Sequence, residues 1–111
     1  MDFNEYQVNA LKTANPLKGR ERLAYLALGL CGEAREVAEH IKKHIGHGHT
    51  LDIVALNKEL GDVLWYLAVL ADCLGLQLGD VAEANIAKLK ARYPQGFSSE
   101  RSINRDQDHS G

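Results

Sequence analysis

The chain has 111 residues, 45% of them hydrophobic and 25% charged, with a formal net charge of −2 at pH 7. That length supports one domain with one core, and the composition excludes a disordered chain. The near-neutral balance excludes a general pull toward nucleic acid or an anionic membrane, so any phosphate-bearing ligand has to be held by a metal ion or a few placed cations.

The first predicted segment, about Asp2 to Ala14, is a short helix ending before Asn15-Pro16. The second runs from about Arg20 to His44. Its apolar positions Leu23, Leu26, Ala27, Leu30, Ala34, Val37, Ala38, Ile41 and Ile45 recur at helical spacings of three and four. Gly46 and Gly48 are expected to break it, behind the basic residues Lys42, Lys43 and His44. The third begins at Thr50 or Asp52, either of which suits an N-cap. It carries Ile53, Leu56, Leu60, Val63, Leu64, Leu67, Leu70, Ala71 and Leu74 up to Gly75. The fourth spans about Leu78 to Arg92, with Val81, Ala82, Ile86 and Leu89 inward. After Gly96 the chain turns polar, so residues 1–97 are read as the domain and 98–111 as a polar tail. Alternation typical of strands is missing. The predicted fold is all-α, a four-helix protomer with two long central antiparallel helices.

Two smaller features complete the outline. Cys31 and Cys73 lie in apolar-periodic segments without a CxxC pattern, which predicts buried free thiols. No stretch reads as a signal peptide or a bilayer span, which predicts a cytoplasmic protein without a membrane partner. The third segment is apolar nearly all round, because Trp65, Tyr66 and Val69 lie off its Leu60–Leu64–Leu67 stripe. A helix with two apolar faces needs two partners, either the flanking helices or a second copy of the chain.

The chemistry concentrates in two acidic pairs. Glu33-x-x-Glu36 lies on the second helix and Glu59-x-x-Asp62 on the third. A spacing of three puts both carboxylates of a pair on one face, and each pair borders an apolar stripe. Antiparallel packing lets the pairs face each other, and four like charges together need protons, basic partners or a cation. All-oxygen ligation favours a hard ion, Mg²⁺ or Mn²⁺, and such ions hold phosphate oxygens in their open positions. A di-iron carboxylate bundle would want Glu-x-x-His pairs, and none occurs. A solvated acidic face bridged to Arg35, Lys42 or Lys58 is the non-functional reading.

The stretch from Leu28 to Glu39, LGLCGEAREVAE, followed by ELGDVLWYLA from Glu59 to Ala68, resembles the MazG-like all-α nucleoside triphosphate pyrophosphohydrolases. The likeness continues through Asn85-Ile86-Ala87-Lys88-Leu89 and Arg92 to Phe97. It implies Mg²⁺-dependent cleavage between the α- and β-phosphates of a nucleoside triphosphate, by a homodimer or a dimer of dimers. It also implies that Glu33, Glu36, Glu59 and Asp62 are metal ligands. For the proton acceptor in such a reaction, Glu36 is the first expectation and Glu33 the second. Arg35 departs from the small residue common in relatives, at a position expected to point away from the carboxylates. A non-catalytic nucleotide-binding regulatory module of the same fold is the alternative, and an oligomeric metal-storage protein a third reading.

Further ligand contacts are expected from position and, for Asn85 and Lys88, from the same resemblance, since spacing alone fits an ordinary solvated face. Asn85, Lys88 and Arg92 form one stripe of the fourth helix, suited to sugar, base and phosphates. Lys43 is within reach of a phosphate. Trp65 can stack on a base, and Gln7, with Phe3 and Tyr6, can line the base pocket. His40, His44, His47 and His49 read as a Gly-interleaved surface loop that can also take Zn²⁺ or Ni²⁺.

Overall fold

A computed structural model describes residues 1–104. Among these, helices are the only regular elements: α1 (Phe3–Leu11), α2 (Gly19–His47), α3 (Ile53–Cys73), α4 (Leu78–Arg92) and α5 (Ser99–Ile103). The all-α expectation therefore holds, with a short fifth helix inside the segment read as a tail. The remainder of that tail, 105–111, lies outside the described residues. No described helix is long and apolar enough to cross a membrane.

Local chemistry sets the helix ends. Asp2 and Glu5 form a capping box on α1, the Asp2 carboxylate accepting from the Glu5 N–H at 2.8 Å. Of the two candidate caps for α3, Asp52 serves, accepting from the Ala55 N–H at 3.0 Å. Gly46 does not break α2 as expected. The helix continues through it to His47 and stops at Gly48, which takes a left-handed φ of 72°. A glycine inside a helix only weakens it by about 1 kcal/mol, whereas a left-handed residue ends it.

The chain divides into two compact units, Met1–Leu78 and a second beginning at Gly79. In the first, α2 and α3 run antiparallel, as the pairs Arg22–Asp72, Gly29–Tyr66 and Glu33–Asp62 show by advancing in opposite directions. The core is Ala10, Leu26, Ala68, Val69 and Leu78, ringed by Tyr6, Leu11, Leu64, Trp65, Tyr66 and Leu70 among others. Thus α1 covers the Trp65–Val69 face of α3, and a second copy is not needed there. The opposite stripe stays open: Ile53, Leu60, Leu67 and Leu74, each seven residues apart, are all exposed. Leu23, Ile41 and Ile45 of α2, expected inward, are also exposed, as is Cys31, while Cys73 is half-buried; both thiols are free.

The second unit holds α4 and α5. Tyr93 and Phe97 pack their rings 5.6 Å apart across the turn at Gly96. Arg101 Nη1 donates to the Arg92 carbonyl at 3.4 Å, tying α5 to the end of α4. Val81, Ile86 and Leu89, expected inward, are exposed.

Candidate metal centre

The antiparallel register of α2 and α3 delivers Glu33 opposite the Glu59/Asp62 pair. One carboxylate oxygen from each of Glu33, Glu59 and Asp62 lies within 4.8 Å of the other two. Around an octahedral Mg²⁺ at ~2.1 Å, ligand oxygens stand about 3–4 Å apart, so a small inward turn of these side chains meets the ion. The three groups are half-buried or exposed, leaving access for a ligand.

Electrostatics supports a cation at this point. The Glu33 carboxyl is pushed above the usual carboxylate range, first by burial, then by the charge of Asp62, a hydrogen bond with Glu59, and the charges of Glu59 and Glu36. Like charges at this range repel, and a bound divalent ion offsets that repulsion. The donors are all carboxylate oxygens, which fit a hard ion and disfavour a thiophilic one.

The centre opens into a cleft of about 310 Å³ lined by Thr13, Glu33, Asp62, Trp65 and Tyr66. Its aromatic wall is tightly arranged. Trp65 and Tyr66 meet edge to face, centroids 4.9 Å apart at 83°. Trp65 Nε1 donates to the Thr13 hydroxyl at 2.8 Å, and that hydroxyl donates to the Ala10 carbonyl at 2.7 Å. Tyr66 passes so close to α2 that a Cβ on Gly29 would overlap its ring. The Tyr66 phenol is pushed above its ordinary value, chiefly by burial, then by its hydrogen bond with Tyr25. Burial and the charge of Asp62 raise Tyr6 as well. Thr13 and Gly29 carry no sequence signal of their own: their roles come from neighbours more than 35 positions away.

Three of the residues singled out in the sequence have other partners in the structure. Glu36 does not join the trio; its Oε1 instead lies 3.7 Å from Arg35 Nη2. Arg35 thus lies beside Glu36, outside the trio. It also approaches Glu39 at 4.0 Å, and Lys42 approaches Glu39 at 3.9 Å. Gln7 is buried against backbone groups of the first unit. Its Nε2 donates to the carbonyls of Ala68 at 2.9 Å and Leu76 at 3.0 Å, while its Oε1 accepts from the Leu78 N–H at 3.0 Å. Buried with its hydrogen-bonding capacity occupied, it braces α1 against α3 and the turn that follows.

The remaining residues are placed as follows. Trp65 lies in the cleft beside Glu33 and Asp62. Lys43 is exposed on α2, seven residues after Glu36 and so on the same face about 10 Å along the axis. On α4, Asn85 is exposed, Lys88 half-buried and Arg92 buried, the last with no hydrogen-bond partner at Nε.

The chain is 35% identical to the Gene 37 protein of Mycobacterium phage L5, over an alignment of 105 residues covering 86% of this chain and 92% of that protein. No solved structure matches it. The family model described as the MazG nucleotide pyrophosphohydrolase domain matches residues 22–97, a span that contains the whole carboxylate trio. The chain thus belongs to the MazG nucleotide pyrophosphohydrolase domain family.

Proposed function

We propose that this protein hydrolyses nucleoside triphosphates, NTP or dNTP, to the monophosphate and pyrophosphate with Mg²⁺ as cofactor and Mn²⁺ as a substitute, in nucleotide-pool control or house-cleaning. The observation that carries the reading is the convergence of Glu33, Glu59 and Asp62 within a MazG domain.

In this scheme those three carboxylates hold the ion. When bound, Mg²⁺ supplies neutralising charge for the triphosphate oxygens and the departing pyrophosphate. A water attacks the α-phosphorus in line, and the bond from that phosphorus to the α,β-bridging oxygen breaks. Pyrophosphate leaves with the electron pair of that bond, and the water's proton passes to a carboxylate. Glu36 is the first choice of acceptor, since it stands outside the ligand trio, one turn beyond Glu33. Glu33 is the second, as the α2 carboxylate of the trio that lines the cleft. Trp65 offers its ring to the base from the cleft wall. Lys43, Lys88 and Arg92 are assigned to phosphates, and Asn85 to sugar or base.

The exposed stripe Ile53–Leu60–Leu67–Leu74 supports a homo-oligomer, dimer or tetramer. A seven-residue apolar repeat along a helix is the seam that packs against another helix.

Pyrophosphate release with Mg²⁺, measured across canonical and modified NTPs and dNTPs, tests the reading. Release that falls more than ~100-fold in an E59Q/D62N variant is the expected result. A folded protein that binds nucleotides and releases no pyrophosphate from any of them would overturn it in favour of the non-catalytic module.

A further inference from the structure

The C-terminal end of α2 carries His40, His44 and His47, and His49 follows its cap. Neither the carboxylate cleft nor the proposed reaction uses them. We propose that His40 and His44, joined by His47, form a second cation site, selective for a Zn²⁺-class transition ion.

Spacing is the first argument. His40, His44 and His47 stand at i, i+4 and i+7 of a continuous helix, so they share one face. At i, i+4 the Cβ atoms are about 5–6 Å apart, a span that lets two imidazoles bind one ion at ~2.0–2.1 Å. The extension of α2 through Gly46 matters here, because it keeps His47 on the helix and in register with the other two.

The second argument is independent of spacing. His44 Nδ1 lies 2.8 Å from the carbonyl oxygen of His49. A carbonyl only accepts, so Nδ1 carries a proton, and in the neutral ring that leaves the Nε2 lone pair as the free donor to a metal. An imidazole that donates one N–H to a backbone carbonyl while offering the other nitrogen is arranged as a metal ligand. The carbonyl is itself held in place: Gly48 turns the chain at φ 72°, and the His49 N–H donates to the Lys43 carbonyl at 3.2 Å. His47 is exposed, with its ring 6.2 Å from that of His49, and reaches the site by side-chain rotation.

Donor chemistry sets the selectivity. Imidazole nitrogens suit Zn²⁺, Ni²⁺ or Cu²⁺, whereas the carboxylate trio suits Mg²⁺. The C-terminal end of a helix also favours a positive charge. One helix thus carries two cation sites of different hardness, Glu33 in its middle and the histidines at its end. This inference does not depend on the proposed hydrolysis.

The test is a Zn²⁺ titration by calorimetry, with imidazole NMR, on the full chain carrying no polyhistidine tag. The result expected is one histidine-held Zn²⁺ per chain, with the ring signals of His40 and His44 shifting in the first equivalent. H40A/H44A is expected to weaken that phase at least tenfold, while E59Q/D62N leaves it in place. Alanine favours helix, so circular dichroism of H40A/H44A should match the parent. An H40A/H44A isotherm equal to the parent's, or ring signals unmoved by Zn²⁺, would overturn the proposal.

Discussion

Gly29→Ala is a substitution whose sign depends on a side chain in another helix. In the interior of α2, replacing glycine by alanine favours the helix by about 1 kcal/mol. Here the added Cβ overlaps the Tyr66 ring. Forcing a methyl group into an occupied space costs about 1–3 kcal/mol. If the ring swings away instead, its edge-to-face pair with Trp65, about 0.5–1.5 kcal/mol, is lost along with its half-buried packing. The expected net effect of G29A is a loss of about 1–2 kcal/mol. In a Tyr66→Ala background the obstruction is gone, and the same change should stabilise by up to about 1 kcal/mol. Urea unfolding followed by circular dichroism and by the emission of Trp65, the single tryptophan, reads both values. G29A with the same sign in both backgrounds would refute the reasoning. Because Tyr66 also lines the cleft, G29A should weaken cation binding without touching a carboxylate.

The other expectations follow from specific contacts. Glu33 binds its proton more tightly folded than unfolded, so the ion-free protein loses stability as pH rises from the ordinary carboxylate value through the raised one. Mg²⁺ should therefore raise the melting temperature more at about pH 7.5 than at about pH 4.5, and equal shifts would exclude cation relief of Glu33. Gln7→Leu strands the Leu78 N–H and two carbonyl contacts, which should cost about 2–4 kcal/mol in denaturant melts; a loss below ~0.5 kcal/mol would mean the brace is idle. Thr13→Val removes the acceptor of Trp65 Nε1 and should shift Trp65 emission at a cost of about 1 kcal/mol. L60E/L67E should convert an oligomer to a monomer in light scattering, and an unchanged mass would place the contact elsewhere.

Local rules made some features legible in the sequence. The helices and the Asp52 cap follow from apolar spacing and one side-chain oxygen. The pairing of Glu33 with Glu59 and Asp62 follows from a three-residue spacing and an antiparallel register. What escaped depends on which of several nearby partners a side chain takes. Glu36 has the right spacing, yet Arg35 beside it competes for its carboxylate. Gln7 looks like any polar residue of a short helix until the carbonyls 61 and 69 positions away are brought to it. The Leu60 stripe reads as core because periodicity reports a face and says nothing of what covers it.

The family segment begins at Arg22, after α1 has ended. Yet α1 and the turn after it supply the Gln7 brace, the Ala10 core contact and the Thr13 wall of the cleft. A chain shortened to the matched segment would keep every carboxylate of the trio and lose the layer behind Trp65. Ala68 and Val69, fully shielded in the intact protein, would then face solvent. Such a fragment would retain the three carboxylates without the wall that shapes access to them. The eleven-odd residues most easily dismissed as a leader therefore act as a back plate, and a minimal folded unit cut from this chain has to include α1 and its Asp2 cap.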